Sequence, residues 1–239
     1  MEQPRISVIM ATFNQAATLR PALESLLAQE LPAACEVIVV DDGSTDSTPE
    51  ILREYAGRIG VVRQVNAGLP AASNAGLARC RGEYMARMDS DDTADPSWLR
   101  RTLELLELHP EAACVHPDYI EVGEDGARTP MPTREDNLYT LMACGPLMRT
   151  RAVREIGGYR PFYWEEFDLY LRLRGKGAML HLAEPLYFIR RHAASMTASA
   201  GHRKEGWEEL LKEWGRETLE KAGRSAELER LLARGEKVA

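Results

Sequence analysis

The sequence predicts an α/β fold, a mainly parallel central sheet flanked by helices, with a helical C-terminal extension. Three observations predict it. Over the first ~110 residues, short runs of branched apolar residues alternate with amphipathic stretches, the pattern of strand–helix–strand units. Two of those runs, Val37-Ile38-Val39-Val40 and Tyr84-Met85-Ala86-Arg87-Met88, end directly on acidic clusters. From about His202 to the end the spacing is helical throughout. In open α/β sheets, ligands gather at the carboxyl ends of the strands, so the acidic clusters stand where chemistry is expected.

Ile6-Ser7-Val8-Ile9-Met10 is short and rich in branched residues, which predicts a buried strand. Asn14 or Thr18 opens the helix that follows, with Leu19, Ala22, Leu23, Leu26 and Leu27 on one face. After the Val37–Val40 strand, Ser47-Thr48-Pro49-Glu50 has the form of a capping box with Pro near the first helical position, so a helix runs to about Tyr55. Val61–Gln64 reads as a third strand and Pro70–Ala78 as a helix of small residues. Tyr84–Met88 is the fourth strand. Asp95-Pro96 starts a helix with Trp98, Leu99, Leu103 and Leu106 on its apolar face.

The second half is mixed. Tyr119–Val122 with the Gly123–Gly126 turn suggests a hairpin, Arg151–Ile156 a short helix closed by Gly157-Gly158, Glu165–Arg174 another helix, and Leu186–Ile189 a strand leading into Arg190-Arg191-His192. The tail carries nine basic and nine acidic residues, so it is neutral. Its Trp207, Leu210, Leu211 and Trp214 form a stripe, expected to pack on the preceding domain; a homodimer contact or a peripheral membrane helix are the alternatives.

With 239 residues, 44% of them hydrophobic, the chain is long enough for one domain with an appendage. A net charge of -7 argues against nucleic acid as partner, though not against a phosphate ligand whose charge a metal offsets. Cys35, Cys80, Cys114 and Cys144 are far apart with no CxxC pair, which argues against zinc and predicts four reduced, buried thiols. Met1–Arg5 lacks the apolar stretch of a signal peptide, and nothing approaches the ~20 apolar residues of a membrane span. The expected location is cytoplasmic, with the inner face of the membrane as the alternative.

Three acidic clusters carry the chemistry. Asp41-Asp42 at a strand end is equally read as a polar turn or as part of a site. Paired acids at a strand end also mark receiver-type phosphorylation domains, but those need a Lys near the fifth strand, and none precedes Lys176. Asp89-Ser90-Asp91-Asp92 is stronger, because three carboxylates in four residues repel unless solvated or bound to a cation. Oxygen-rich sets suit Mg²⁺ or Mn²⁺. Trp164-Glu165-Glu166-Phe167-Asp168 opens a helix, where acids meet the helix dipole favourably, yet acids beside aromatics also suit a general base. Arg190-Arg191-His192, followed by Ser195 and Thr197, is a basic patch fit to anchor a diphosphate. No GxGxxG or Walker-type loop is present.

Together, Ser7–Asn14, Val39–Asp46, Asn66-Ala67-Gly68 with Asn74-Ala75-Gly76, Gly82–Tyr84 leading to Asp89–Asp92, and Glu165–Arg172 resemble the family two glycosyltransferases, the inverting group with a GT-A fold. The resemblance runs from Ser7 to about Thr197. It implies a GT-A domain over 1–200, with a nucleotide-sugar-binding half (1–115) and an acceptor and catalytic-base half (116–200), and an extension over 201–239. It implies that Thr12 and its neighbour Asn14 contact the nucleotide, that Asp42 binds the base with Asp41 supporting its loop, and that Gly68 and Asn74 line the nucleotide pocket. Asp89 and Ser90 would face ribose or sugar, and Asp91 the metal, with Asp89 and Asp92 near it. Glu166 matches the base position, usually Asp, with Glu165 in reserve. His192 would meet diphosphate or metal, beside Arg190. The implied reaction moves a sugar from a nucleotide sugar (UDP first, GDP or dTDP otherwise) to a saccharide or lipid-linked acceptor, with Mn²⁺ or Mg²⁺. The alternatives are a silent nucleotide-sugar-binding module and a sugar nucleotidyltransferase, which usually has a Gly-rich basic loop where this chain has Ala11–Gln15.

Overall fold

A computed structural model describes residues 3–31, 34–141, 144–192, 195, 200–223 and 225–233. Thr197 and the last six residues, which the sequence assigned to the basic patch and the tail helix, lie outside the described residues. The chain alternates β1 (Ile6–Thr12), α1 (Leu19–Leu27), β2 (Cys35–Asp41), α2 (Thr48–Glu54), β3 (Gly60–Arg63), α3 (Leu69–Leu77) and β4 (Tyr84–Arg87). There follow β5 (Thr93–Ala94), α4 (Trp98–Leu108), β6 (Ala112–Val122), β7 (Arg128–Met131), a 3-10 turn at Leu138–Thr140, β8 (Leu147–Arg149), α5 (Thr150–Glu155), α6 (Glu165–Leu173), β9 (Ala178–Arg190), α7 (Ala200–Lys221) and α8 (Ala226–Ala233).

The sheet order is β3-β2-β1-β4-β8-β6-β9-β5, with β7 on β6. The pairs β2–β3, β1–β2, β1–β4 and β6–β9 are parallel; the rest are antiparallel. The expected mainly parallel core is present, with antiparallel strands inserted. Because β8 is antiparallel to both β4 and β6, its two reversals cancel. β1, β2, β4, β6 and β9 therefore all point the same way and bring their carboxyl ends to one edge.

The core follows the apolar pattern. Ile6, Val8, Ile9 and Met10 of β1 are fully buried, and Leu19, Ala22 and Leu23 of α1 with them, each large side chain stabilising by roughly 1.5–3 kcal/mol. The α4 stripe of Trp98, Leu99, Leu103 and Leu106 is likewise inside. The absence of a side chain at Gly43 permits the turn after Asp41-Asp42. Its φ is +81°, and a Cβ there would lie 2.9 Å from the Asn66 nitrogen.

Several expectations are corrected. Ser47 makes no side-chain cap; instead the Thr48 N–H donates to Asp46 Oδ1 at 2.9 Å. Thr18 is the N-cap of α1, but its hydroxyl donates to the Ser90 carbonyl at 3.1 Å, tying the helix start to the acidic loop. The Leu186–Ile189 strand is the end of a 13-residue strand, β9. Three of the four thiols are buried, but Cys35 is exposed. The tail is not one helix: α7 breaks at Gly215 (φ 73°, ψ 159°) and α8 follows. The stripe faces inward. The Trp207 ring lies 5.2 Å from Trp164, 5.4 Å from Tyr139 and 5.6 Å from Phe167, and Leu210 is fully buried. No helix among the described residues is long and apolar enough to cross a membrane.

Candidate active site

A cavity of about 760 Å³ opens at the shared strand edge. Its wall includes Thr12 from the end of β1, Asp42 from the turn after β2, Gly68 at the start of α3, the Asp89–Asp92 loop after β4, Glu165 and Glu166 at the start of α6, Arg190 at the end of β9 and His192 just after it. Residues up to 180 positions apart meet because the strands run in one direction.

At the end of β1, the Thr12 hydroxyl is buried with no hydrogen-bond partner among the described residues. Asp42 holds the loop opposite. Its Oδ1 accepts from Gln64 Nε2 at 2.7 Å and the Ala67 N–H at 2.9 Å, and its Oδ2 from the Gly68 N–H at 2.8 Å. Asp41 is buried beneath, accepting from the Ser44 N–H at 2.8 Å, with Arg63 Nε at 3.4 Å. Asn14 has a φ of 54°, and its Oδ1 accepts from the Thr45 N–H at 2.8 Å. Asn14 and Asp41 thus brace the loop from behind and are not on the cavity wall. Asn74 is not on it either. Its amide exchanges two hydrogen bonds with the Tyr159 backbone, at 2.7 and 2.9 Å.

The carboxylates of Asp89, Asp91 and Asp92 each place an oxygen within 4.8 Å of the others. Burial, with the neighbouring carboxylates, raises the pKa of Asp92 well above the usual range. Arg190 opposes this by donating its backbone N–H to Asp92 Oδ1 at 2.9 Å. Burial also raises Asp89, with Arg87 opposing and Asp91 reinforcing. Clustered carboxylates whose charge costs free energy are a donor set that a hard divalent cation relieves, so the residues fit Mg²⁺ or Mn²⁺. His192 joins through Asp91, its Nε2 2.9 Å from Asp91 Oδ2, and stands beside the three carboxylates rather than among them.

On the far wall, Glu165 and Glu166 flank a residue that sequence reasoning missed. Arg87, the last residue of β4, has a side chain only 4% exposed. Its Nη1 donates to Glu165 Oε1 at 2.7 Å, its Nη2 lies 2.6 Å from Glu166 Oε1, and its Nε 3.4 Å from Asp89 Oδ1. Burial works against its charge, but Glu166, Asp89 and Glu165 together hold it charged. Glu165 is pushed up by burial, against the pull of Arg87. The signal was available: a charge inside an otherwise apolar buried strand requires a counter-charge. Glu166 keeps 15% of its side chain exposed and Glu165 only 4%.

Comparison with known proteins fits this geometry. The Mycobacterium tuberculosis protein Rv1520, uncharacterized by name, is 33% identical over 223 residues. That match covers 85% of this chain and 64% of the relative, so the chain spans less than two thirds of the relative's length. S. aureus TarS in complex with UDP-GlcNAc has a TM-score of 0.69 at 20% identity, over 87% of this chain and 66% of that one. The mannosyltransferase PcManGT of Pyrobaculum calidifontis, in complex with GDP-Man and Mn²⁺, has a TM-score of 0.66 at 16% identity, over 98% and 80%. The shared architecture is the GT-A fold. The family described as Glycosyl transferase family 2 matches residues 7–166, from the first strand to Glu166, and the chain belongs to that family.

Proposed function

We propose that this chain is a metal-dependent, inverting glycosyltransferase that moves a sugar from a nucleoside-diphosphate sugar to an acceptor hydroxyl. One observation carries the proposal: the strand-end residues Thr12, Asp42 and Asp89 and the acid Glu166 line one cavity, and in it Asp89 clusters with Asp91 and Asp92. The GT-A relatives hold UDP-GlcNAc, or GDP-Man with Mn²⁺, which supports a nucleotide-sugar donor. UDP-sugars are the first choice and GDP- or dTDP-sugars the alternatives. The acceptor is a saccharide or lipid-linked glycan, as in cell-surface polysaccharide or glycolipid synthesis.

Thr12 gives the nucleotide a hydroxyl. Asp42 uses three of its roughly four acceptor positions on its own loop and offers the last to the base. A divalent ion held by Asp91 and Asp89, with Asp92 near, would offset charge on the departing diphosphate. Arg190 and His192 bring further donors to that side. Glu166 accepts the proton of the acceptor hydroxyl. The freed oxygen attacks the anomeric carbon as the bond to the diphosphate oxygen breaks, and this single displacement inverts the configuration. Glu166 rather than Glu165 takes the proton because it is the less buried of the two, and so the one open to an acceptor in the cavity.

The test is a panel of UDP-, GDP- and dTDP-sugars in thermal shift and turnover assays with Mn²⁺. At least one donor should raise the melting temperature and release its nucleoside diphosphate. Glu166→Gln should keep the shift and abolish turnover. A shift without turnover in the wild type indicates a silent binding module, and near-normal turnover in Glu166→Gln removes Glu166 from the role.

A further inference from the structure

We propose that Arg87 is a positioning residue for the transfer: it fixes the rotation of the Glu166 carboxylate relative to Asp89, so that base and donor-side acid are set by one rigid group. The inference rests on the reading of Glu166 as the base. The planar guanidinium presents its edges to three carboxylates at once, at 2.6 Å (Glu166), 2.7 Å (Glu165) and 3.4 Å (Asp89). It also lies over the Tyr159 ring, 5.4 Å from the centroid. A glutamate at a helix start has several rotatable bonds. Holding its Oε1 on a buried, stacked fork removes that freedom and sets where the carboxylate points.

The fold itself does not call for a charge here. Tyr84, Met85, Ala86 and Met88 around it are all buried. The strand could be filled without any charge: replacing a whole buried ion cluster, Arg87 together with its acids, by packed apolar groups is often neutral or stabilising, whereas removing Arg87 alone would strand the acids. A local rule broken beside a reaction centre points to function. Arg87 Nε has no hydrogen-bond partner among the described residues and faces Asp89. The cation thus spans the two halves of the site without being fully used by either. Lysine cannot replace it, because a single ammonium is a point charge and cannot hold several carboxylates in one plane.

The experiment measures nucleoside diphosphate release from UDP-glucose, UDP-N-acetylglucosamine, GDP-mannose and dTDP-rhamnose with Mn²⁺, water serving as acceptor. In Arg87→Lys, kcat should fall by about 100-fold, the scale of a misplaced catalytic group, while donor KM stays within about threefold. In Arg87→Ala, millimolar guanidinium chloride should restore part of kcat. Should either variant fold poorly, Glu165→Gln loosens the other arm of the fork and should lower kcat by roughly tenfold at unchanged donor KM. Wild-type kcat in Arg87→Lys, or a loss of kcat that tracks melting temperature and is not rescued, makes Arg87 structural only and overturns the proposal. No release by the wild type from any sugar instead overturns the proposed function, and this inference with it.

Discussion

Replacing Asp168 by Asn removes one charge from a fully buried position on α6 where two arginines and a tryptophan converge. Arg172 donates to Asp168 from Nε at 2.9 Å, Arg160 from its Nε and Nη2, and Trp214 Nε1 from α7 at 3.0 Å. Breaking a buried ion pair on one side costs about 3–5 kcal/mol. The cost here should be lower, about 2–3 kcal/mol, because both arginines keep other partners. Arg172 also donates to the Ile156 and Gly158 carbonyls at 2.7 and 2.8 Å, and Arg160 pairs with Glu213 at 2.7 Å. For a chain of this size that is a fall in melting temperature of roughly 4–12 °C. The effect also has a pH signature. Burial raises the Asp168 pKa, but Arg160 and Arg172 outweigh it, and the net value is below the usual range. A depressed folded-state pKa gives stability that is present above the unfolded value of about 3.9 and is lost as pH falls through the folded value. Calorimetric melts at pH 7 and across the acid range should show a wild-type advantage that shrinks in acid. An advantage of equal size throughout, or none at pH 7, would refute the reasoning.

Two further outcomes follow from the geometry. Asp91→Asn should remove most of the Mn²⁺-dependent thermal shift and lower turnover by about 100-fold, without lowering the metal-free melting temperature, since it relieves repulsion among three acids within 4.8 Å. A metal-free melting temperature several degrees lower would contradict this. Trp207→Ala should cost about 3–5 kcal/mol, because the ring is 1% exposed amid Trp164, Tyr139 and Phe167; equilibrium denaturation measures it, and a cost under 1 kcal/mol would show that the tail is not part of the core.

The strand-end acids were legible because their signal is local: an apolar run stops and carboxylates begin. Asp42 and Asp89 stand at such strand ends, and Glu166 at the start of α6; all three line the cavity. β5 and β8 were not legible, since two and three residues carry no periodicity. β8 nonetheless decides how the second half is oriented. The His192–Asp91 contact spans 101 positions and depends on that orientation. Asn74 lies off the cavity wall with its amide on a backbone segment 85 residues away, a contact that leaves no mark in sequence. Arg87 was overlooked for the opposite reason: its mark was present, but a single charge in a strand gained meaning only once three carboxylates from two acidic segments proved to surround it. At Gly215 the helical spacing of the tail continued, and one glycine was too weak a break to weigh against it.

The placement of β8 also bears on biosynthesis. β3, β2, β1 and β4 are all in place once Arg87 has been made, but β4's neighbour on the other side begins only at Leu147. At ribosomal rates of about 5–20 residues per second, those intervening residues take roughly 3–12 s, during which a fully buried strand of the finished sheet is an unpaired edge. The acidic loop after β4 and Arg87 at its end keep charge beside that edge throughout the interval. The charges that line the finished cavity thus stand at the end of that edge, where charge disfavours pairing with a neighbour.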